Sequence, residues 1–549
     1  MEILKIENLK FRYPNTEKYT LDGVDLSIES GELVLLCGAT GSGKTTLMRL
    51  IKRELAPRGE VSGKIYYKQK DMAEMTHRES AAYIGYVMQN PEEQIVNDSV
   101  WHELAFGLEN LGVESGEISR RVGEIASYFG ISEWYEKKVS ELSGGQKQIL
   151  SLASVMVMDP DILILDEPTS QLDPLAANDF INTLRNLNRD FGLTVIISEH
   201  RFEELLPYAD KLALLSNGKA RFGSVKNMIR HVAEERDLID AMPISVRLYL
   251  NLNAQGECPI SLREGREWLM KNYKNDVRSI ISEESPVSDK EGPFSIEFRE
   301  VCFSYSRDLP DTLHNIDLSI RIGEFFSVVG ENGSGKSTML GVASGVLHHY
   351  AGNVRVFGKR IEKYRDMSLY RECISMLPQD VKTLFVENSV KEELEELFSS
   401  GVELPFDISH LMNMHPYDLS GGEQQLVALA KILAKKPKIL LVDEPTKGLD
   451  AAKKRALGRI FRSLCASGVS VVAVTHDLEF AAEFSDRCAF LFRGEIISVD
   501  TPQRFFARNN FYTTAARRQS KGYYDGVILE KELLRLCKIN GIKEVSDNG

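Results

Sequence analysis

The chain has 549 residues, with 43% hydrophobic and 27% charged side chains and its 40 Gly and 18 Pro thinly spread. That composition excludes a collagenous or largely disordered polymer and allows several compact units or two large ones. Sixty-seven Lys and Arg against 80 Asp and Glu give a formal net charge of −13, a field that repels phosphate backbones, so no nucleic-acid partner is expected. Charges interrupt every hydrophobic stretch, leaving no run of about 18 apolar residues for a membrane span. The N-terminus, Met1-Glu-Ile-Leu-Lys-Ile6, lacks the pattern of a secretory signal. Seven scattered cysteines with no C-x-x-C pair read as reduced thiols of a cytoplasmic protein.

In chain order, an alternating strand-like stretch, Leu4-Lys-Ile-Glu-Asn-Leu9, precedes Tyr13 and the apolar run Leu33-Val-Leu-Leu-Cys37. That run leads into Gly38, Gly41, Gly43, Lys44, Thr45 and Thr46, which satisfy G-x-x-x-x-G-K-[ST]. The spacing lets consecutive backbone N–H groups wrap phosphates at a helix N-terminus, with a lysine for the β and γ phosphates and a hydroxyl for Mg²⁺. Gln89, Leu142-Ser143-Gly144-Gly145 and the apolar run Ile162-Leu-Ile-Leu165 follow, the last ending in Asp166-Glu167. An apolar strand that ends in Asp-Glu delivers two carboxylates to the carboxyl edge of a parallel sheet, where ligands bind. The aspartate suits Mg²⁺ and the glutamate can polarise an attacking water. Asp173 and, after Val195-Ile-Ile, His200 complete the series.

The same landmarks then recur in the same order, which implies two homologous halves. Ile296–Val301 and Tyr305 precede the run Phe325–Val329 and the loop residues Gly330, Gly333, Gly335, Lys336, Ser337 and Thr338. Gln379, Leu419-Ser420-Gly421-Gly422, Ile439–Val442 with Asp443-Glu444, Asp450 and His476 follow. The interval from loop lysine to signature serine shrinks from 99 residues (44 to 143) to 84 (336 to 420), so the second half carries the shorter insert. The fold class expected is α/β, two tandem domains with parallel-sheet cores, at 1–230 and 295–510. Residues 231–294 read as a connector with short helical elements, including a capping box at Ser261-x-x-Glu264, and 511–549 as an extension with one amphipathic candidate, Leu529 to Ile539.

Leu-Ser-Gly-Gly ahead of Asp-Glu-Pro-Thr, then an aspartate, then a histidine, resembles the ATP-binding cassette ATPases across nearly the whole chain. The resemblance implies an N-terminal antiparallel β region and a helical subdomain in each half. It also implies that each ATP is shared between halves. Lys44, Thr45, Asp166, Glu167, Gln89 and His200 would face Ser420, Gly421 and Gly422, while Lys336, Ser337, Asp443, Glu444, Gln379 and His476 would face Ser143, Gly144 and Gly145. The resemblance makes Glu167, Gln89 and His200, with Glu444, Gln379 and His476, the catalytic sets. Tyr13 and Tyr305 would stack on adenine, Thr46, Thr338, Asp173 and Asp450 would join the nucleotide contacts, and the histidines would contact the γ-phosphate. Mg²⁺ would be held by Thr45, Gln89 and Asp166 in one site and Ser337, Gln379 and Asp443 in the other. Both sets are complete, so two competent sites are expected. Ile149 and Leu426 stand where an arginine is frequent in the family, which bears on local helix packing.

Gln89-Asn-Pro-Glu-Glu-Gln94, with Ser99-Val-Trp-His-Glu-Leu-Ala-Phe-Gly107 after it, resembles the ATPases of energy-coupling factor importers. That resemblance implies a peripheral ATPase on the cytoplasmic membrane face, one chain per complex. Its partners would be an integral membrane coupling subunit touching residues 89 to 110 and a membrane subunit that binds a vitamin, vitamin precursor or metal. The second half departs here, reading Gln379-Asp-Val-Lys-Thr-Leu-Phe385. Two other readings stay open. Soluble twin-cassette ATPases that act on ribosomes or DNA are opposed by a connector with 12 acidic and 8 basic residues and by the lack of zinc-type cysteine pairs. Tandem ATPases of sugar or peptide importers remain, although sugar-importer relatives often alter the second Leu-Ser-Gly-Gly, which is intact here.

Overall fold

The computed structural model describes residues 1–543 except 15, 40, 171, 200–201, 280–291, 307, 366 and 402–403. The chain divides into two compact units, Met1–Ser261 and Leu262–Gly549.

In the first unit, β1 (Glu2–Arg12) and β2 (Leu21–Glu29) alternate buried and more exposed residues, as strands covered on one face do. With β4 (Glu60–Tyr67) and β5 (Lys70–Asp71) they form an antiparallel sheet ordered β2-β1-β4-β5. By contrast, β3 (Leu33–Cys37), β6 (Ile84–Val87), β7 (Ile162–Asp166) and β8 (Thr194–Ser198) are buried at every residue, the signature of strands covered on both faces. They pair in parallel as β3-β8-β7-β6. On the other side of β3, β9 (Lys211–Ser216) is parallel and β10 (Lys219–Ser224) closes the edge antiparallel. Parallel pairing brings the carboxyl ends of β3, β6, β7 and β8 to one edge, and that edge carries the chemistry. Leu4, Phe11 and Val24 of the antiparallel sheet share one core with Leu36, Leu47 and Ile164.

The second unit repeats this plan. Here β11 (Phe294–Phe303), β12 (Leu313–Arg321), β14 (Ala351–Val356) and β15 (Lys359–Arg360) form the sheet β12-β11-β14-β15. The other sheet runs β16 (Ile374–Leu377), β17 (Ile439–Asp443), β18 (Ser470–Thr475), β13 (Phe325–Val329), β19 (Arg487–Phe492) and β20 (Glu495–Asp500). The insert between β6 and β7 builds helices Val100–Asn110, Ser115–Tyr128 and Gly144–Met156 around their own core of Leu104, Val122, Trp134 and Leu150. Its shorter counterpart supplies Val390–Glu393, Glu395–Ser400 and Gly421–Leu433, whose apolar residues join the core of the sheet at Phe325 and Leu440.

Each insert is fastened by a buried glutamate that sequence reading passed over. Glu103 accepts hydrogen bonds from the Val96 and Asn97 N–H groups at 3.1 and 2.9 Å. Glu393 accepts from the Val386 and Glu387 N–H groups and pairs with Lys431 at 2.5 Å. Glu393→Ala leaves those donors and an ammonium without their acceptor, so urea unfolding should show a loss of about 2 to 3 kcal/mol.

The second unit also contains the helix Leu262–Asn272 and the tail helix Glu530–Asn540. Connector and tail are stitched together there. Asn540 Nδ2 donates to the Val277 carbonyl at 2.8 Å while its Oδ1 accepts from the Val277 N–H at 2.7 Å, and the buried Tyr524 donates to the Lys274 carbonyl at 2.7 Å. All seven cysteines are free thiols, and among the described residues no helix is long and apolar enough to cross a membrane.

Candidate active site

In each unit the buried central strand ends in a glycine loop that opens a helix, Lys44–Ile51 after β3 and Lys336–Ser344 after β13. Gly43 and Gly335 occupy the cap positions at φ 100° and 101° with no side-chain cap, which leaves first-turn N–H groups facing an anion's place. Lys44 Nζ donates to the Gly38 and Ala39 carbonyls at 2.8 and 3.2 Å, and Lys336 Nζ to those of Gly330 and Glu331 at 2.9 Å. Both lysines are 6% exposed, so the loops hold a buried ammonium at their centres. The buried hydroxyls of Ser42 and Ser334, inside the same loops, have no hydrogen-bond partner among the described residues. A polyanion would satisfy cation, amides and hydroxyl together.

The Asp-Glu pairs sit at the ends of β7 and β17, on the same sheet edge as the loops. Asp166 Oδ1 accepts from Thr45 at 3.2 Å and from Ser198 at 2.9 Å, and its Oδ2 accepts from Tyr86 at 3.2 Å. Burial raises the Asp166 carboxyl above its ordinary range against the pull of the Ser198 and Thr45 hydrogen bonds. Burial likewise raises Asp443, opposed by Ser337. Among the described residues the buried Asp443 Oδ1 has no hydrogen-bond partner, which is what a carboxylate built to meet a cation looks like when protein donors do not cover it.

Glu167 and Glu444 both adopt left-handed backbone, φ 46° and 47°, a conformation that costs a non-glycine residue about 1 to 2 kcal/mol. Strain repeated at one position in both units turns each carboxylate off its strand and marks a functional corner. Gln89 and Gln379 are both exposed, and Gln89 Nε2 donates to Glu167 Oε2 at 2.9 Å. Glu444 Oε2 lies 2.8 Å from His476 Nδ1 and accepts from the His476 N–H at 3.2 Å, with Lys336 Nζ 3.8 Å from Oε1. Burial works to raise Glu444, but the His476 hydrogen bond, its charge and Lys336 outweigh it and hold the carboxyl below its ordinary value. His200 lies outside the described residues.

Tyr13 and Tyr305 each hydrogen-bond the threonine after the loop hydroxyl, Thr46 at 2.9 Å and Thr338 at 3.0 Å, which ties an exposed ring to the first helical turn. Ser143 and Ser420 begin the helices Gly144–Met156 and Gly421–Leu433, hydrogen-bonded to Gln146 and Glu423 of the first turn. Asp173 and Asp450 cap helices Pro174–Phe191 and Ala451–Ala466, accepting from Ala176 and Lys453 N–H groups. The structure thus brings loop lysine, hydroxyl and both carboxylates together in each unit, and places signature glycines and capping aspartates elsewhere. Lys447 was missed by sequence reading: burial lowers its ammonium while Glu444 and Asp443 oppose that. Its position five residues past Val442, in a turn, gave no signal.

The ABC transporter family profile matches residues 21–170 and 313–447, the segments that carry the loops, signature helices and Asp-Glu strands. The chain belongs to the ABC transporter family. It is an ATP-binding protein and an ATPase with two tandem cassettes. This ABC transporter ATPase is 40% identical over 526 residues, 94% of each chain, to a protein of Bacillus thuringiensis subsp. konkukian provisionally named an ABC transporter ATP-binding protein. It is 29% identical over 548 residues, 97% of each chain, to YkoD of Bacillus subtilis, provisionally named an HMP/thiamine import ATP-binding protein. Among solved structures, cbiO1 from Clostridium perfringens, described as part of the ABC transporter complex cbiONQ, is 30% identical with a TM-score of 0.38, covering 43% of this chain and 95% of its own.

Proposed function

We propose that this ATPase is the energy-coupling subunit of an importer of the energy-coupling factor type, working on the cytoplasmic face of the membrane through separate transmembrane and substrate-binding subunits. One observation carries the reading. Gln89, bonded to Glu167, opens a segment that exposes Val96, Trp101 and Phe106 at 69, 42 and 37%. A carboxylate that works on ATP is therefore hydrogen-bonded to the residue that opens this segment, and exposed aromatics of this kind support contact with a partner. The likeness to YkoD supports a vitamin or vitamin precursor as cargo.

The cassettes at 1–230 and 295–510 each present Lys44 or Lys336 to the β and γ phosphates, and Glu167 or Glu444 to the attacking water. The orphaned Asp443 Oδ1 fits Mg²⁺, which Thr45, Gln89 and Asp166, or Ser337, Gln379 and Asp443, would hold. When bound, Mg²⁺ neutralises charge on the phosphates as the γ-phosphoryl group departs. On this reading the signature residues Ser143, Gly144, Gly145 and Ser420, Gly421, Gly422 would cap the ATP of the opposite cassette, and closure around both nucleotides would sequester the reaction from bulk solvent.

Trp101→Glu combined with Phe106→Glu tests the surface. The variant should leave the membrane pellet for the supernatant while ATP binding persists. Retention in the pellet, or a parent chain that never sediments with membranes, contradicts the reading.

A further inference from the structure

Asp166 and Asp443 occupy the same place in the two cassettes but not the same surroundings. In the first, Asp166 lies in register with Ser198 on β8, and its two oxygens receive Ser198 at 2.9 Å and Tyr86 at 3.2 Å. The register on the neighbouring strands puts Val474 opposite Asp443, and Met376 as the third residue of β16 where Tyr86 is third of β6. Neither valine nor methionine can replace the hydroxyl donor, and Asp443 Oδ1 is left buried with no hydrogen-bond partner among the described residues. The charge of Arg49 also acts on the Tyr86 hydroxyl, against the burial that pushes it up, and five residues after the second loop lysine its counterpart is Gly341. The first cassette therefore has hydroxyl donors, Ser198 and Tyr86, on the two Asp166 oxygens, where the second has valine, methionine and an oxygen left uncovered among the described residues.

The structure assigns Tyr86 and Ser198 as positioning residues that fix the Asp166 carboxylate for the divalent cation of ATP in the first cassette alone. The assignment rests on the Mg²⁺ reading above. Donors on both oxygens hold the carboxylate in one rotamer before the cation arrives, so less orientational freedom is lost on binding. Each donor also draws some charge from the carboxylate, but at 2.9 and 3.2 Å to neutral hydroxyls that drain is small beside the gain in orientation. The two ATP sites of this chain then differ in how firmly they hold their metal, although their catalytic residue types are the same and their metal-binding sets differ only in Thr45 against Ser337.

Mn²⁺, a paramagnetic stand-in for Mg²⁺, is titrated into the full chain with ATP and read by electron paramagnetic resonance. Two backgrounds separate the sites: Lys336→Ala leaves the first to be read, and Lys44→Ala the second. Tyr86→Phe and, separately, Ser198→Ala should weaken Mn²⁺ binding about tenfold in the first background and leave the second unchanged. ATP affinity in the presence of a chelator should stay the same in both. Unchanged Mn²⁺ affinity for both variants in the first background, or an equal loss in the two backgrounds, overturns the assignment. A parent chain with no ATP-dependent Mn²⁺ signal at either site overturns the metal reading beneath it, and is told apart from the other outcomes because it precedes any substitution.

Discussion

Glu444→Gln is expected to cut ATP turnover by about 10² to 10⁴, with nucleotide binding retained, because the amide keeps the shape of the side chain and cannot accept a proton. The geometry favours a large effect. Glu444 is buried, strained at φ 47°, and held ionised by His476 and Lys336. Glu167→Gln should do the same to the other site, where Gln89 Nε2 donates to Glu167 Oε2 at 2.9 Å. Steady-state phosphate release on each variant checks the size of the loss. Mixing the two variants adds a second test. If one chain completes both sites, the mixture stays as inactive as its parts, and recovery of activity would falsify intramolecular pairing of the cassettes.

Gly330→Ala is the second large effect. An added Cβ would stand 2.3 Å from the Leu491 carbonyl oxygen, backbone of the neighbouring strand β19, and 2.9 Å from Ser334 Oγ. Real Cβ atoms essentially never approach within 3.0 Å of another heavy atom, so the loop must move away from the sheet. We expect ATP affinity to fall at least tenfold and stability to fall by about 1 to 3 kcal/mol, the usual range for overpacking. Gly333→Ala is the control. It has open space around it but φ 78°, so it carries strain without collision and should cost only about 1 kcal/mol. Nucleotide titration and urea unfolding of the pair separate the two causes.

The phosphate loops and Asp-Glu strands were legible because their chemistry demands particular residue types at fixed spacing, and a second copy at a matching interval removes coincidence. The parallel sheets followed from apolar runs such as Ile162–Leu165, buried at every residue as expected. The tail candidate Leu529 to Ile539 is a helix at Glu530–Asn540, but its docking partner lies some 263 residues earlier at Val277, a pairing no local pattern announces. Tyr86 was hidden for the same reason. It reads as one more apolar residue of a buried strand, and only the order β6-β7-β8 sets its hydroxyl against a carboxylate 80 residues on. Gln89 and Gln379 read alike and both are exposed, yet Gln89 hydrogen-bonds its glutamate at 2.9 Å while the contacts of Glu444 are to His476 and Lys336.

The central claim is that this ATPase drives transport through membrane partners. The most direct measurement is purification of the tagged full chain from detergent-solubilised native membranes, with mass spectrometry of what stays bound after a high-salt wash. The account requires polytopic membrane proteins in stoichiometric amounts, among them a small substrate-binding subunit, lost when Trp101 and Phe106 are replaced by Glu. A chain absent from the membrane fraction that retains ribosomal proteins or nucleic acid contradicts it.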